Sequence, residues 1–117
     1  MEGTTVGFAV RETAEGPRII EVAGELTPAS EPALTEAFAH ACEGPSRAVL
    51  LDFRPLGYMN SGGIGLLVTL LVRAQRDKRK LLAFGLSGHY RQIFELTRLD
   101  DAIAIHDTES DALAAVS

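Results

Sequence analysis

The sequence predicts a single α/β domain, a mixed central sheet with helices packed on it. Three observations predict it. Residues 48–51 and 80–86 are short apolar runs that read as buried strands. Between and after them lie stretches whose apolar residues recur at three- and four-residue spacing, the period of helices packed on a sheet. Two strand-like runs also precede the first helix, so the order reads β-β-α-β-α-β-α-β-α and implies parallel crossovers in a mixed sheet. At 117 residues, with 46% hydrophobic and 23% charged, residues 1–117 read as one domain around one core.

In chain order, residues 6–12 alternate weakly, with Val6, Phe8 and Val10 on one face, and residues 18–22 form a more apolar strand. A polar connection containing Gly16 and Pro17 joins them, and residues 24–28 end the second strand. Residues 29–42 are expected to be helical, with Ser30 as cap, Pro32 tolerated near the start and Leu34, Ala37, Phe38 and Ala41 as the packed stripe. Gly44 and Pro45 stop it, and a strand over 47–53 follows. Turn chemistry occupies residues 54–57. After the central helix come a strand over 80–86, a short helix over 89–97, a strand over 103–106 and a terminal helix over 107–116, where Thr108 and Asp111 resemble a capping box.

The stretch from Ala48 to Lys80 organises the rest. Asn60 and Ser61 are residues that cap a helix start, and Asn60-Ser61-Gly62-Gly63 opens a long apolar helix. A hydroxyl at that position sits where backbone amides and the helix dipole favour negative charge, so a phosphate is tolerated there. At 100° per residue, Ile64, Leu67, Val68, Leu71, Val72 and Gln75 share the face expected to meet the sheet. Leu66 and Leu70 fall nearly opposite, beside Arg73. Either the apolar stripe is wider and a neighbouring helix covers them, or they form an apolar contact for a partner.

Several function classes are disfavoured. A net charge of −5 argues against nucleic-acid binding. The basic cluster of Arg73, Arg76, Lys78, Arg79 and Lys80 falls at the end of the central helix, where it complements the dipole. No window approaches the roughly 18 apolar residues of a membrane span, and the N-terminus lacks the pattern of a signal peptide, so a cytoplasmic location is expected. Cys42 is alone and reads as packing. Neither a metal nor a cofactor is expected. His40, His89 and His106 lack metal-ligand spacing, and the glycines around Ser61 match no phosphate-binding fingerprint. A serine hydrolase would need a G-x-S-x-G elbow, but Met59 occupies the first glycine position. No catalytic residue is therefore assigned.

Residues 59–67, MNSGGIGLL, resemble the phosphorylation motif of bacterial anti-sigma-factor antagonists in the STAS domain family, roughly Met-Asp-Ser-Ser-Gly-Leu-Gly-Val-Leu. Gly24-Glu25-Leu26, the strand Val49-Leu50-Leu51-Asp52 and the late helix IFELTRL at 93–99 agree with the family in order and spacing. The resemblance implies a STAS-like fold and a switch without catalysis of its own. Ser61 would be phosphorylated by a partner anti-sigma factor with a histidine-kinase-like ATPase fold. The unphosphorylated form would bind that kinase, and a serine phosphatase would restore it. Asp52, Asn60, Gly62 and Gly63 are the expected supports of the switch loop, and Leu66, Leu70 and Arg73 the expected partner contacts. The alternative is a constitutive STAS scaffold, or a small cytosolic subunit of a signalling or lipid-transport complex. The chain departs from the family pattern at Asn60 and Thr27, where aspartate is usual, and at Gly62, where serine is common.

Overall fold

The computed structural model describes residues 8–116. Within them the chain runs β1 (Ala9–Arg11), β2 (Arg18–Glu21), β3 (Gly24–Leu26), α1 (Glu31–Ala41), β4 (Ala48–Asp52), β5 (Leu56–Met59), α2 (Ser61–Arg76), β6 (Lys80–Phe84), α3 (Gly88–Leu96), β7 (Ala104–His106) and α4 (Glu109–Ala115). Short 3₁₀ turns at Pro28–Ser30 and Leu99–Asp101 precede α1 and β7. The fold class is the expected one. The structure adds β3 and β5 where turns are expected, since each is short and carries glycine. They pair with each other in parallel, apart from the main sheet. Val6 and Gly7, expected to begin the first strand, lie outside the described residues.

The main sheet has the order β1-β2-β4-β6-β7. Only β1 is antiparallel to its neighbour; the other pairings are parallel, as βαβ crossovers require. β4 is central and buried along its whole length, consistent with a strand covered on both faces. Its alternation sorts the core. Val49 and Leu51 join Ile20, Leu34, Phe38, Leu67, Leu70 and Phe94 on the face covered by α1, α2 and α3. Ala48 and Leu50 join Ile19, Leu82, Phe84 and Ala112 on the face covered by α4. Phe53 and Phe94 meet edge to face, with ring centroids 5.9 Å apart.

Local chemistry sets the helix starts. Ser87 caps α3 and Thr108 caps α4, each side chain accepting a backbone N–H three residues on. Ser30 does not cap α1. Its hydroxyl instead accepts from the Thr27 N–H and donates to the Glu25 carbonyl, both at 3.1 Å, which folds the 3₁₀ turn back on β3.

α2 is rotated from the expected orientation. Its buried residues are Gly63, Leu67, Leu70 and Ala74, while Val68 and Val72 are 41% and 49% exposed. Apolar residues wrap more than half of this helix, so periodicity alone leaves its rotation open. Close contact at the small residues decides it: a Cβ on Gly63 would lie 2.0 Å from the Leu26 carbonyl oxygen. Only a bare Cα fits that contact, so this edge of the helix must face β3.

Candidate functional site

Ser61 is the first residue of α2, and the segment before it is held from three sides. Asn60 caps the helix, its Oδ1 accepting the Gly63 N–H at 2.9 Å. The Asn60 N–H donates to the Leu26 carbonyl, and the Met59 N–H donates to the Tyr90 hydroxyl at 2.9 Å. Gly62 lies under Pro28, whose Cγ would be 2.4 Å from an added Cβ. Gly63 lies against Leu26. Both glycines are thus required by close approach to the β3 end and the turn after it.

Ser61, directly before them, is exposed, and among the described residues its hydroxyl has no hydrogen-bond partner. No histidine or other base is therefore paired with it, and no group of His, Cys, Asp and Glu among the described residues could hold a metal ion. What remains is a free hydroxyl at the N-terminus of a 16-residue helix. A dianion on that oxygen meets the positive pole of α2 while projecting into solvent.

The structure does not bring Asp52 to Ser61. Asp52 follows Leu50 in the β4 alternation, so it points to the α4 face, away from α2. Its carboxylate is buried and accepts from the Arg54 N–H and Nε, both at 3.0 Å, and from Nη2 at 2.8 Å. Arg11 lies 3.5 Å away and bridges to Glu21 and Glu109. Arg54 also stacks over Phe84, 5.1 Å from the ring centroid. Burial alone would push the Asp52 pKa up, but hydrogen bonds from Arg54 and the charges of Arg54 and Arg11 outweigh it and hold the group below its usual range. Asp52 braces the β4–β5 turn and ties it to α4.

The expected partner contacts separate. Leu70 is 4% exposed and belongs to the core, and Leu66 is half-buried against it. Both line the groove between α1 and α2 with Leu34 and Thr35, so coverage by a neighbouring helix is the reading that holds. Arg73 is exposed at the end of the same groove. The surface that α2 does present runs from Ser61 through Gly65, Val68 and Val72, at steps of four, three and four residues. Tyr58 on β5, 50% exposed, lies three residues before Ser61. Val68 and Val72, expected to meet the sheet, are thus on the surface side of α2. Pro28 and Tyr90 carried no signal, because their roles depend on contacts across the chain.

No helix among the described residues is long and apolar enough to cross a membrane. Comparison with known proteins matches residues 9–112 to the STAS domain family model. An anti-sigma-B factor antagonist of Listeria monocytogenes is 30% identical over 92 residues, covering 79% of this chain and 81% of the relative. The crystal structure of an anti-sigma factor antagonist from Mycobacterium paratuberculosis superposes with a TM-score of 0.76 at 24% identity, covering 93% of this chain and 92% of that one. The phosphorylated form of the Bacillus cell fate determinant SpoIIAA superposes with a TM-score of 0.70 at 20% identity, covering 95% and 100%.

Proposed function

The chain belongs to the STAS domain family, and we propose that it is an anti-sigma-factor antagonist switched at Ser61. The observation that carries this reading is a free, exposed serine hydroxyl at the first position of α2, beside an apolar stripe left exposed among the described residues. Unphosphorylated, the stripe of Val68 and Val72 with Tyr58 docks an anti-sigma factor of the histidine-kinase-like ATPase type. That partner transfers the γ-phosphoryl of ATP to Ser61. The added charge of about −1.5 to −2 must stay solvated, so it opposes an apolar contact within one or two helical turns. The positive pole of α2 keeps the modified loop folded. A serine phosphatase resets the switch.

Asn60 preserves the cap that an aspartate would provide, but not its charge. With Thr27, it leaves the hydroxyl without two carboxylates common in the family. That is the observation favouring the second reading, a constitutive scaffold, for which partner binding is independent of phosphate.

The test is incubation with ATP and the histidine-kinase-like ATPases of the source genome, followed by mapping of phosphate by mass spectrometry. Phosphate on Ser61 and loss of partner binding are expected. Phosphate elsewhere, or none with a kinase active on another substrate, defeats the switch, and stable binding by both forms points to the scaffold.

A further inference from the structure

We propose that the C-terminal end of α2, with the adjoining starts of β4 and β6, is a docking surface for an acidic polypeptide segment. The chain has 11 lysines and arginines. Five of them, Arg11, Arg18, Arg54, Arg91 and Arg98, are each ion-paired with a carboxylate. The other six are Arg47, Arg73, Arg76, Lys78, Arg79 and Lys80, and none has a carboxylate within 4.0 Å among the described residues. All but Arg79 are exposed. They gather at one end of the molecule, since Lys80 donates its N–H to the Arg47 carbonyl at 3.0 Å and Arg47 reaches the Asp77 carbonyl at 3.0 Å.

Complementing the α2 dipole accounts for only part of this cluster. That effect is confined to the last turn, and one or two cations satisfy it. Arg47 and Lys80 are not on the helix, and Arg73 and Arg76, three residues apart, repel each other. Lys78 is a second observation. It sits just past the α2 C-cap with φ 57, a left-handed position that glycine fills with less strain. Arg98 holds the same conformation after α3, but its charge is taken up by Asp101. At Lys78 a strained backbone carries a charge that, despite the adjacent Asp77, has no carboxylate within 4.0 Å among the described residues.

The chemistry of the patch favours carboxylates on a polypeptide. Four of the six cations are arginines, whose planar forks match carboxylates. No aromatic residue lies within residues 73–80 to stack a base. The chain is −5 despite these six charges, so a membrane or a duplex extending past the patch would set phosphates against acidic surface. A short acidic segment covers less of that acidic surface, although Asp100 and Asp101 share a groove with Arg79 and Lys80. The exposed stripe of α2 leads from Ser61 through Val72 to Arg76, so a partner lying along the helix reaches the basic end as well. The proposal stands on the charges and does not require that Ser61 be modified.

The probe is a fluorescent decaglutamate peptide, titrated with the full chain and followed by anisotropy. Saturable binding is expected, weakening by roughly tenfold or more between low and high salt and in the Arg73→Gln/Arg76→Gln/Lys78→Gly variant. Ser61→Glu is expected to bind the peptide as the wild type does. Lys78→Gly alone, which relieves the left-handed strain, should weaken the peptide while its melting temperature holds or rises, separating charge from folding. Equal binding by the wild type and the triple variant overturns the proposal. So does tighter binding of phosphatidylglycerol vesicles or a DNA duplex than of the peptide at the same salt.

Discussion

The Leu26 carbonyl oxygen lies 2.0 Å from the point a Cβ on Gly63 would occupy, so β3 and the first turn of α2 meet backbone to backbone. This contact sets the rotation of α2, and with it which apolar residues are core and which are surface. The same carbonyl accepts the Asn60 N–H, so one peptide group both seats the helix and anchors the residue before the serine.

Gly63→Ala should therefore be costly although alanine is the better helix former. The clash is with backbone, which has little room to yield, and overpacking of this kind costs about 3 kcal/mol, or roughly 10 °C in melting temperature. Gly65→Ala is the control, since nothing lies within 4 Å of its added Cβ and the position is exposed. It should stabilise by about 0.7 kcal/mol through helix propensity. Thermal denaturation of both variants decides it, and equal losses would show that Gly63 is not the pivot.

How much of this was legible in the sequence depended on the range of the interaction. The Thr108 cap and the opening of α2 at Asn60 are local side-chain chemistry and could be read directly. β3 and β5 could not, because strands of three and four residues that pair only with each other leave no pattern within either segment. Asp52 illustrates a different failure. The resemblance to the family implies a place for it in the support of the Ser61 loop, but strand alternation sends it through the sheet to Arg54 and Arg11. For α2, the excess of apolar residues hid the rotation that a single glycine contact decides.

The departure at Gly62 has a local cause that a double-mutant cycle can isolate. A side chain there would meet Pro28 Cγ at 2.4 Å and Cδ at 2.6 Å, and a proline ring cannot swing away. Gly62→Ser should cost about 2 kcal/mol in the wild type and under about 0.5 kcal/mol in a Pro28→Ala background. Urea denaturation of the four proteins measures the coupling, and additive losses would remove Pro28 as the reason that glycine stands here.

Asp52 links stability to pH. Burial raises its pKa, but the Arg54 hydrogen bonds and neighbouring cations bring the net shift downward, and Glu109 is also held low, chiefly by the Arg11 hydrogen bond. A depressed folded-state pKa gives stability that is fully present above the unfolded value of about 4 and is lost as pH falls through the folded value. Asp52→Asn should lose about 2 kcal/mol at neutral pH, less than a fully buried pair because Arg54 is more than half exposed. The difference from wild type should shrink as the pH falls below about 4, since the wild-type carboxylate is then also neutralised. Urea denaturation across that range tests this, and a difference that does not narrow would assign the loss to packing.

The reassigned face of α2 gives the sharpest separation between function and stability. Val68 is 41% exposed, so Val68→Asp should change stability by less than about 0.5 kcal/mol. Placed near the centre of an apolar contact, the same carboxylate should weaken the anti-sigma partner by roughly tenfold or more, since an unpaired charge would be desolvated. Leu70→Ala should do the reverse. Leu70 is 4% exposed in the core beneath α1, and its truncation should cost about 3 kcal/mol while the surviving folded fraction binds normally. Calorimetric titration of the partner beside thermal melts reads both effects. If Leu70→Ala weakens binding of folded protein while Val68→Asp does not, the contact surface lies on the α1 side of the helix, and the stripe leading from Ser61 is not the docking face.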